Sequence, residues 1–157
     1  MALKRWSLLY VQPRLENRVA YELCERGVEN FLPSLRRQNG MRTIELPLFP
    51  GYVFCRLAAR DRSAVVFIGG VISIGCATPA DVSQDVEDLK RIINSGFIYA
   101  PWPYTRTGTR AVIDEGPLDG LDGYLLDRNH VVLSLRSLCR SLVVETDLKC
   151  VEGTHPK

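Results

Sequence analysis

The sequence lacks most of what chemistry on a small molecule requires. Only two histidines occur in 157 residues. Neither His130 nor His155 stands in a catalytic motif, and there is no GxSxG elbow and no phosphate-cradling P-loop. The five cysteines (24, 55, 76, 139 and 150) are scattered, odd in number and never spaced as CxxC. That argues against a disulfide framework and a metal centre, and it favours a reducing, cytoplasmic setting. No apolar run approaches the roughly 18 residues needed to cross a bilayer. The start, MALKRWSLLYVQPR, is basic and then briefly apolar, but no small-residue cleavage site follows. Trp6–Val11 therefore reads as a first strand rather than a signal peptide.

Carboxylates offer no better case for catalysis. Asp114 and Glu115 are adjacent, and consecutive strand residues point to opposite faces, so they make a poor acid/base pair. His130, after Asn129, reads as a solvated turn residue. Cys24 and Cys139 sit in apolar surroundings and read as packing residues. The expectation is a protein that is not an enzyme and needs neither metal nor cofactor.

What is present is a globular composition, 46% hydrophobic and 24% charged. The net charge of +2 is unevenly spread. The first 62 residues hold eleven basic and six acidic residues, while residues 108–157 hold six and eight. A basic N-terminal part is compatible with nucleic acid nearby, or simply with a solvated surface.

After Trp6–Val11, Pro13 suits the first turn of a helix. Leu15, Val19 and Leu23 then recur every four residues as an amphipathic stripe, ended by Gly27. Short strands are expected at Val28–Leu32, Thr43–Leu46, Gly51–Leu57 and Val71–Cys76. Gln38-Asn39-Gly40 marks a turn, and Asp61–Ile68 a short helix. Ser83 is placed to cap a helix with the stripe Val86, Leu89, Ile93, ended by Gly96. Residues 97–107 have no period and two prolines, Pro101 and Pro103, which predicts an extended linker. Beyond Gly108 short strands alternate with turn clusters: Ala111–Ile113, Tyr124–Leu126, Val131–Leu135 and Leu142–Glu145. The reading is an α+β domain over 1–96, a linker over 97–107 and a small all-β barrel over 108–157.

One stretch resists a purely structural reading. Pro47-Leu48-Phe49-Pro50-Gly51-Tyr52-Val53-Phe54 sets four large apolar or aromatic side chains among prolines. A core strand disfavours the prolines, and a solvated loop disfavours the aromatics. Strand alternation puts Tyr52 and Phe54 on one face and Val53 on the other. Val53 is then core, and Phe54 fits either core or surface.

The order Trp6, Tyr10, Pro13, Glu16, then Phe31-Leu32-Pro33, then Pro47–Phe54, resembles the NusG family of transcription elongation factors. The segment with Gly108, Val112, Gly116-Pro117-Leu118, Gly120, Gly123 and Leu138-Cys139-Arg140 is similar to the KOW motif of that family's second domain. The resemblance covers essentially the whole chain. It implies an N-terminal domain, a mixed antiparallel sheet with helices, that binds the clamp helices of the largest RNA polymerase subunit. It also implies an SH3-like KOW barrel. Tyr10, Phe49, Pro50, Tyr52, Phe54 and Ile74 are the implied polymerase-binding residues. Arg60, Arg62 and Ser63 are the implied contacts to the non-template DNA strand, although Arg60 fits a solvated helix face equally well. Leu138 and Arg140 match the loop that family members use for a small-subunit ribosomal protein or Rho. Cys139 stands where many members carry glycine, which puts the identity of that partner in doubt. Gln12-Pro13-Arg14-Leu15-Glu16 replaces the Ser-Gly-x-Glu of general factors, and PLFPGYVF is closer to specialised, operon-directed antiterminators. The implied protein is a cytoplasmic monomer that reduces pausing or termination. Two other classes stay open from the residues: a KOW-type RNA-binding or ribosome-associated protein, and an enzyme with a deep polar pocket.

Overall fold

The computed structural model describes residues 3–114, 116–146 and, for the backbone only, 150–152. Glu115, His155 and the side chain of Cys150 lie outside the described residues. The chain divides into two compact units, 1–86 and 87–157. Among the described residues no helix is long and apolar enough to cross a membrane. No group of three His, Cys, Asp or Glu among them could hold a metal ion.

In the first unit, β1 (Lys4–Val11) is followed by α1 (Glu16–Glu25), β2 (Asn30–Phe31), β3 (Ser34–Asn39), β4 (Arg42–Pro47) and β5 (Tyr52–Ala58). A single 3-10 turn at Ala59–Asp61, α2 (Arg62–Val65) and β6 (Val71–Ile74) complete it. The sheet is antiparallel, in the order β2-β5-β1-β6. Strand β1 alternates: Leu9 and Val11 join Val53, Cys55 and Leu57 against Val19, Leu23, Val65 and Ile68 of the helical layer. The hairpin β3–β4 stands apart as its own two-stranded sheet.

Helix α1 starts at Glu16, later than Pro13 predicts. Arg14 takes a left-handed φ of 76°, so Pro13 and Arg14 form a turn that redirects the chain before the helix begins. The stripe Val19, Leu23 is buried as expected. Cys24, read as packing, is exposed and accepts a hydrogen bond from Asn30 Nδ2 at 3.1 Å.

Helix α3 runs Pro79–Ser95. Its first turn is capped by Thr78, whose hydroxyl accepts from the Asp81 N–H at 3.2 Å. Ser83 therefore lies inside the helix. The buried stripe is Val82, Val86, Leu89 and Ile92, so Ile92 and not Ile93 closes it, because the spacing is four-three-three. The division between the two units falls within this helix and not after Gly96.

In the second unit one antiparallel sheet runs β12-β8-β9-β10-β11-β7. Its strands are β7 (Ile98–Trp102), β8 (Arg110–Ile113), β9 (Asp122–Asp127), β10 (His130–Leu135), β11 (Arg140–Glu145) and β12 (Cys150–Glu152). The expected linker contains β7, paired with β11 from Ile98↔Glu145 to Trp102↔Ser141. Its proline is tolerated because β7 is an edge strand, where Pro101 can lack a ladder donor. The chain beyond it is strapped down as well. The Thr105 N–H donates to Ser141 Oγ at 3.0 Å, and Ser134 Oγ donates to the Thr105 carbonyl. His130 closes the β9–β10 turn: its Nδ1 lies 2.7 Å from Asp127 Oδ1. The Asn129 N–H foremost, and then His130, hold the Asp127 carboxyl below its usual range.

The end of α3 belongs to this second unit. Arg91 donates to the carbonyls of Pro117 (3.1 Å) and Asp119 (2.6 Å). Ile92, fully buried, shares a narrow apolar cavity with Leu118, Leu121, Val131 and Leu133. The helix end is therefore part of this unit's core. Ile92→Ala should destabilise the chain by about 2–4 kcal/mol, as expected for truncating a buried aliphatic side chain. A urea titration followed by circular dichroism measures it, and a loss under about 1 kcal/mol would contradict the packing.

Candidate functional site

Three surfaces carry the candidate residues: an aromatic face, an arginine cleft and a loop of the second unit.

The aromatic face is built by register. Pairing of β1 with β5 places Tyr10 opposite Tyr52 and Leu8 opposite Phe54, and β2 adds Phe31 opposite Phe54. Paired residues share a face, so the four aromatics gather on one side of the sheet. Tyr10 and Tyr52 meet edge to face at 5.6 Å, and Phe31 stacks on Phe54 at 6.0 Å. Both tyrosines and Phe31 are half-buried, and Pro50 is exposed at the turn. Gly75 makes room for Tyr10: a Cβ there would lie 3.2 Å from the ring.

Three of the sequence-predicted anchors are placed differently. Phe54 is 0% exposed and Phe49 4%, so both are core. Ile74 pairs with Leu9, not with Tyr10, and packs against the opposite, helix-covered face. The accessible face is therefore Tyr10, Tyr52, Pro50 and the flank of Phe31.

A buried carboxylate holds the turn that carries this face. Glu16, 2% exposed at the start of α1, accepts the Gly51 N–H on Oε2 at 2.9 Å. The Gly51 carbonyl in turn accepts the Val11 N–H at 2.9 Å. Gly51 has φ +91°, a conformation that strains any residue with a Cβ.

On the helix side of the same sheet lies an open cleft of about 570 Å³. The side chains of Arg5, Arg60 and Arg62 line it, together with Ser7. Arg62 Nη1 donates to Ser7 Oγ at 3.4 Å. The charge of Arg62 is felt by the nearby thiol of Cys55. Burial pushes that thiol up to about 12 and the guanidinium pulls the other way, so Cys55 stays neutral and inert. Arg60 and Arg62, predicted together, are indeed brought together. Ser63 is exposed but does not line the cleft. Arg5 and Ser7 escaped sequence reasoning, because only the β1–β5 pairing (Arg5↔Leu57) carries them to the 59–62 turn.

In the second unit Leu138 is 3% exposed, so it supports the loop between β10 and β11 rather than presenting itself to a partner. Arg140 is exposed. Cys139, read as packing, is exposed with φ 49°, a left-handed conformation that glycine adopts without penalty. Cys139→Gly should then raise stability by about 0.5–1 kcal/mol, the Cβ strain outweighing the added entropy of the unfolded chain. Thermal unfolding of the two proteins decides it, and a lower melting temperature for the glycine variant would refute the strain.

Comparison with known proteins gives these surfaces a context. A family model described as "Transcription termination factor nusG" matches residues 4–92, more than half of the chain. No curated protein matches the chain. Among solved structures, "Domain interaction in Thermotoga maritima NusG" aligns with TM-score 0.59 and 17% identity, covering 96% of this chain and 98% of that one. At that identity the likeness concerns the fold. Two structures of the MjSpt4:Spt5 complex, conformations A and B, align at TM-score 0.33 with 14% and 15% identity. They cover 95% and 96% of this chain and 99% of each of those chains. The matched span runs from β1 through most of α3 and contains both the aromatic face and the arginine cleft: the chain belongs to the NusG family of transcription elongation factors.

Proposed function

We propose that the chain docks on the clamp helices of the largest RNA polymerase subunit through its aromatic face. Docked there, it reduces pausing or termination, as a specialised, operon-directed member of its family. The observation that carries this is the accessible pair Tyr10 and Tyr52, edge to face at 5.6 Å, beside the exposed Pro50. Aromatic anchors offer large contact area with few rotors and concentrate binding energy. Phe54 and Phe49 serve as the floor that fixes the tyrosines, not as anchors. Arg60, Arg62 and Ser63 contact the non-template strand, mainly through phosphate charge.

The second unit acts as an SH3-like KOW barrel, and its 136–139 loop, with the exposed Arg140 at the start of β11, meets a small-subunit ribosomal protein or Rho. The reading involves no catalysis and no cofactor. It places the protein in the cytoplasm as a monomer joined to the transcription complex.

Tyr10→Ala and Tyr52→Ala should each weaken binding to core RNA polymerase by about 1–3 kcal/mol while leaving the fold intact. Phe54→Ala should instead destabilise the fold by about 3–5 kcal/mol. Fluorescence-detected titration with polymerase and urea unfolding of the same variants separate the two effects. Wild-type affinity in both tyrosine variants would refute the docking face.

A further inference from the structure

The arginine cleft has a feature that neither folding nor polymerase docking uses. Arg5, Arg60 and Arg62 border one concavity, and among the described residues none of them forms an ion pair. Three like charges around one hollow repel one another, and a bound anion relieves that repulsion. The hollow is not uniformly polar. Leu57, Ala59 and Pro79 form an apolar wall beside the guanidinium groups. Ser7, almost buried, contributes its hydroxyl from within the sheet. At about 570 Å³ the space falls within the range of small-ligand sites.

A bare inorganic anion would use the charged half and leave the apolar wall wet. An acidic peptide would likewise use only the charges. A nucleotide uses both: guanidinium forks match phosphate oxygens in bidentate geometry. A base can lie on the apolar wall or stack against a guanidinium plane. We propose that this cleft is a nucleotide site, with Arg5, Arg60 and Arg62 holding a phosphate, Ser7 in hydrogen-bond reach and the base against Leu57 and Pro79. The site deepens the strand contact assigned above to Arg60 and Arg62, and rests on that reading only for where the nucleotide comes from. It adds Arg5 and Ser7, which border the cleft, whereas Ser63 does not line it. The same chemistry is offered by one unit of a single strand and by a free nucleotide.

The test uses the full chain without polymerase, so that its failure leaves the docking face untouched. A labelled oligothymidylate of about twelve nucleotides is titrated by fluorescence polarisation, with thymidine monophosphate, inorganic phosphate and polyglutamate as competitors. The double variant Arg5→Ala/Arg60→Ala should bind the oligonucleotide about tenfold or more weakly and with a shallower salt dependence. Arg26→Ala, at the end of α1, should bind like wild type. The Ser7 amide resonance should move on adding oligonucleotide. Competition by the monophosphate identifies a site open to free nucleotides, and competition by unlabelled oligothymidylate but not by the monophosphate identifies a strand site; either fits the cleft. Unchanged affinity in the double variant, a Ser7 resonance that stays still, or displacement by phosphate or polyglutamate as effective as by nucleotide would overturn the proposal.

Discussion

The hydrogen bond from the Gly51 N–H to the buried Glu16 carboxylate is the constraint on which the working surface depends. It joins the first turn of α1 to the turn before β5, across 35 residues of sequence. A carboxylate out of water must be satisfied, and an N–H donor from the adjacent turn meets part of that demand. Its place at the helix N-terminus adds a favourable dipole. The consequence is geometric. Gly51 is held with its carbonyl on the Val11 N–H, so β5 enters the sheet in the register that sets Tyr52 opposite Tyr10. Without that register there is no aromatic face.

One sheet then presents two chemistries. Alternation along β1 sends Leu8 and Tyr10 to one side, and Arg5, Ser7, Leu9 and Val11 to the other. The first side offers apolar and aromatic area suited to a protein partner. The second closes its middle with α1 and α2 and leaves the arginine cleft at its end. Both surfaces rest on the same rigid pairing, the arrangement that holds binding groups most firmly. The proposed docking and the proposed nucleotide contact therefore need not compete for the same side chains.

Local signals in the sequence located the elements well. The stripe of α1 and the strands Val131–Leu135 and Leu142–Glu145 emerge nearly where their periodicity and β-branched residues put them. The misses are nonlocal. Strand β3 was invisible because Arg36, Arg37 and Gln38 are polar on both faces, as a hairpin outside the main sheet permits. Strand β7 was hidden by Pro101, which only edge position makes acceptable. The candidate residues divide on the same ground. Tyr10 and Tyr52 are half-buried, and Arg60 and Arg62 are exposed. Phe49, Phe54 and Leu138 turned inward, and Ile74 went to the other face, because burial and pairing partner are set by tertiary register that no single stretch encodes. Arg14 and Cys139 are a backbone case. Each takes a left-handed φ, a conformation that glycine adopts without penalty and that their residue types did not signal.

The most direct measurement is hydrogen–deuterium exchange of the full chain, free and bound to core RNA polymerase. The account predicts new protection concentrated in residues 8–11 and 47–54, the strand and turn that the Val11–Gly51 hydrogen bond joins. Protection confined to residues 108–146, or absent altogether while the complex persists, would contradict it.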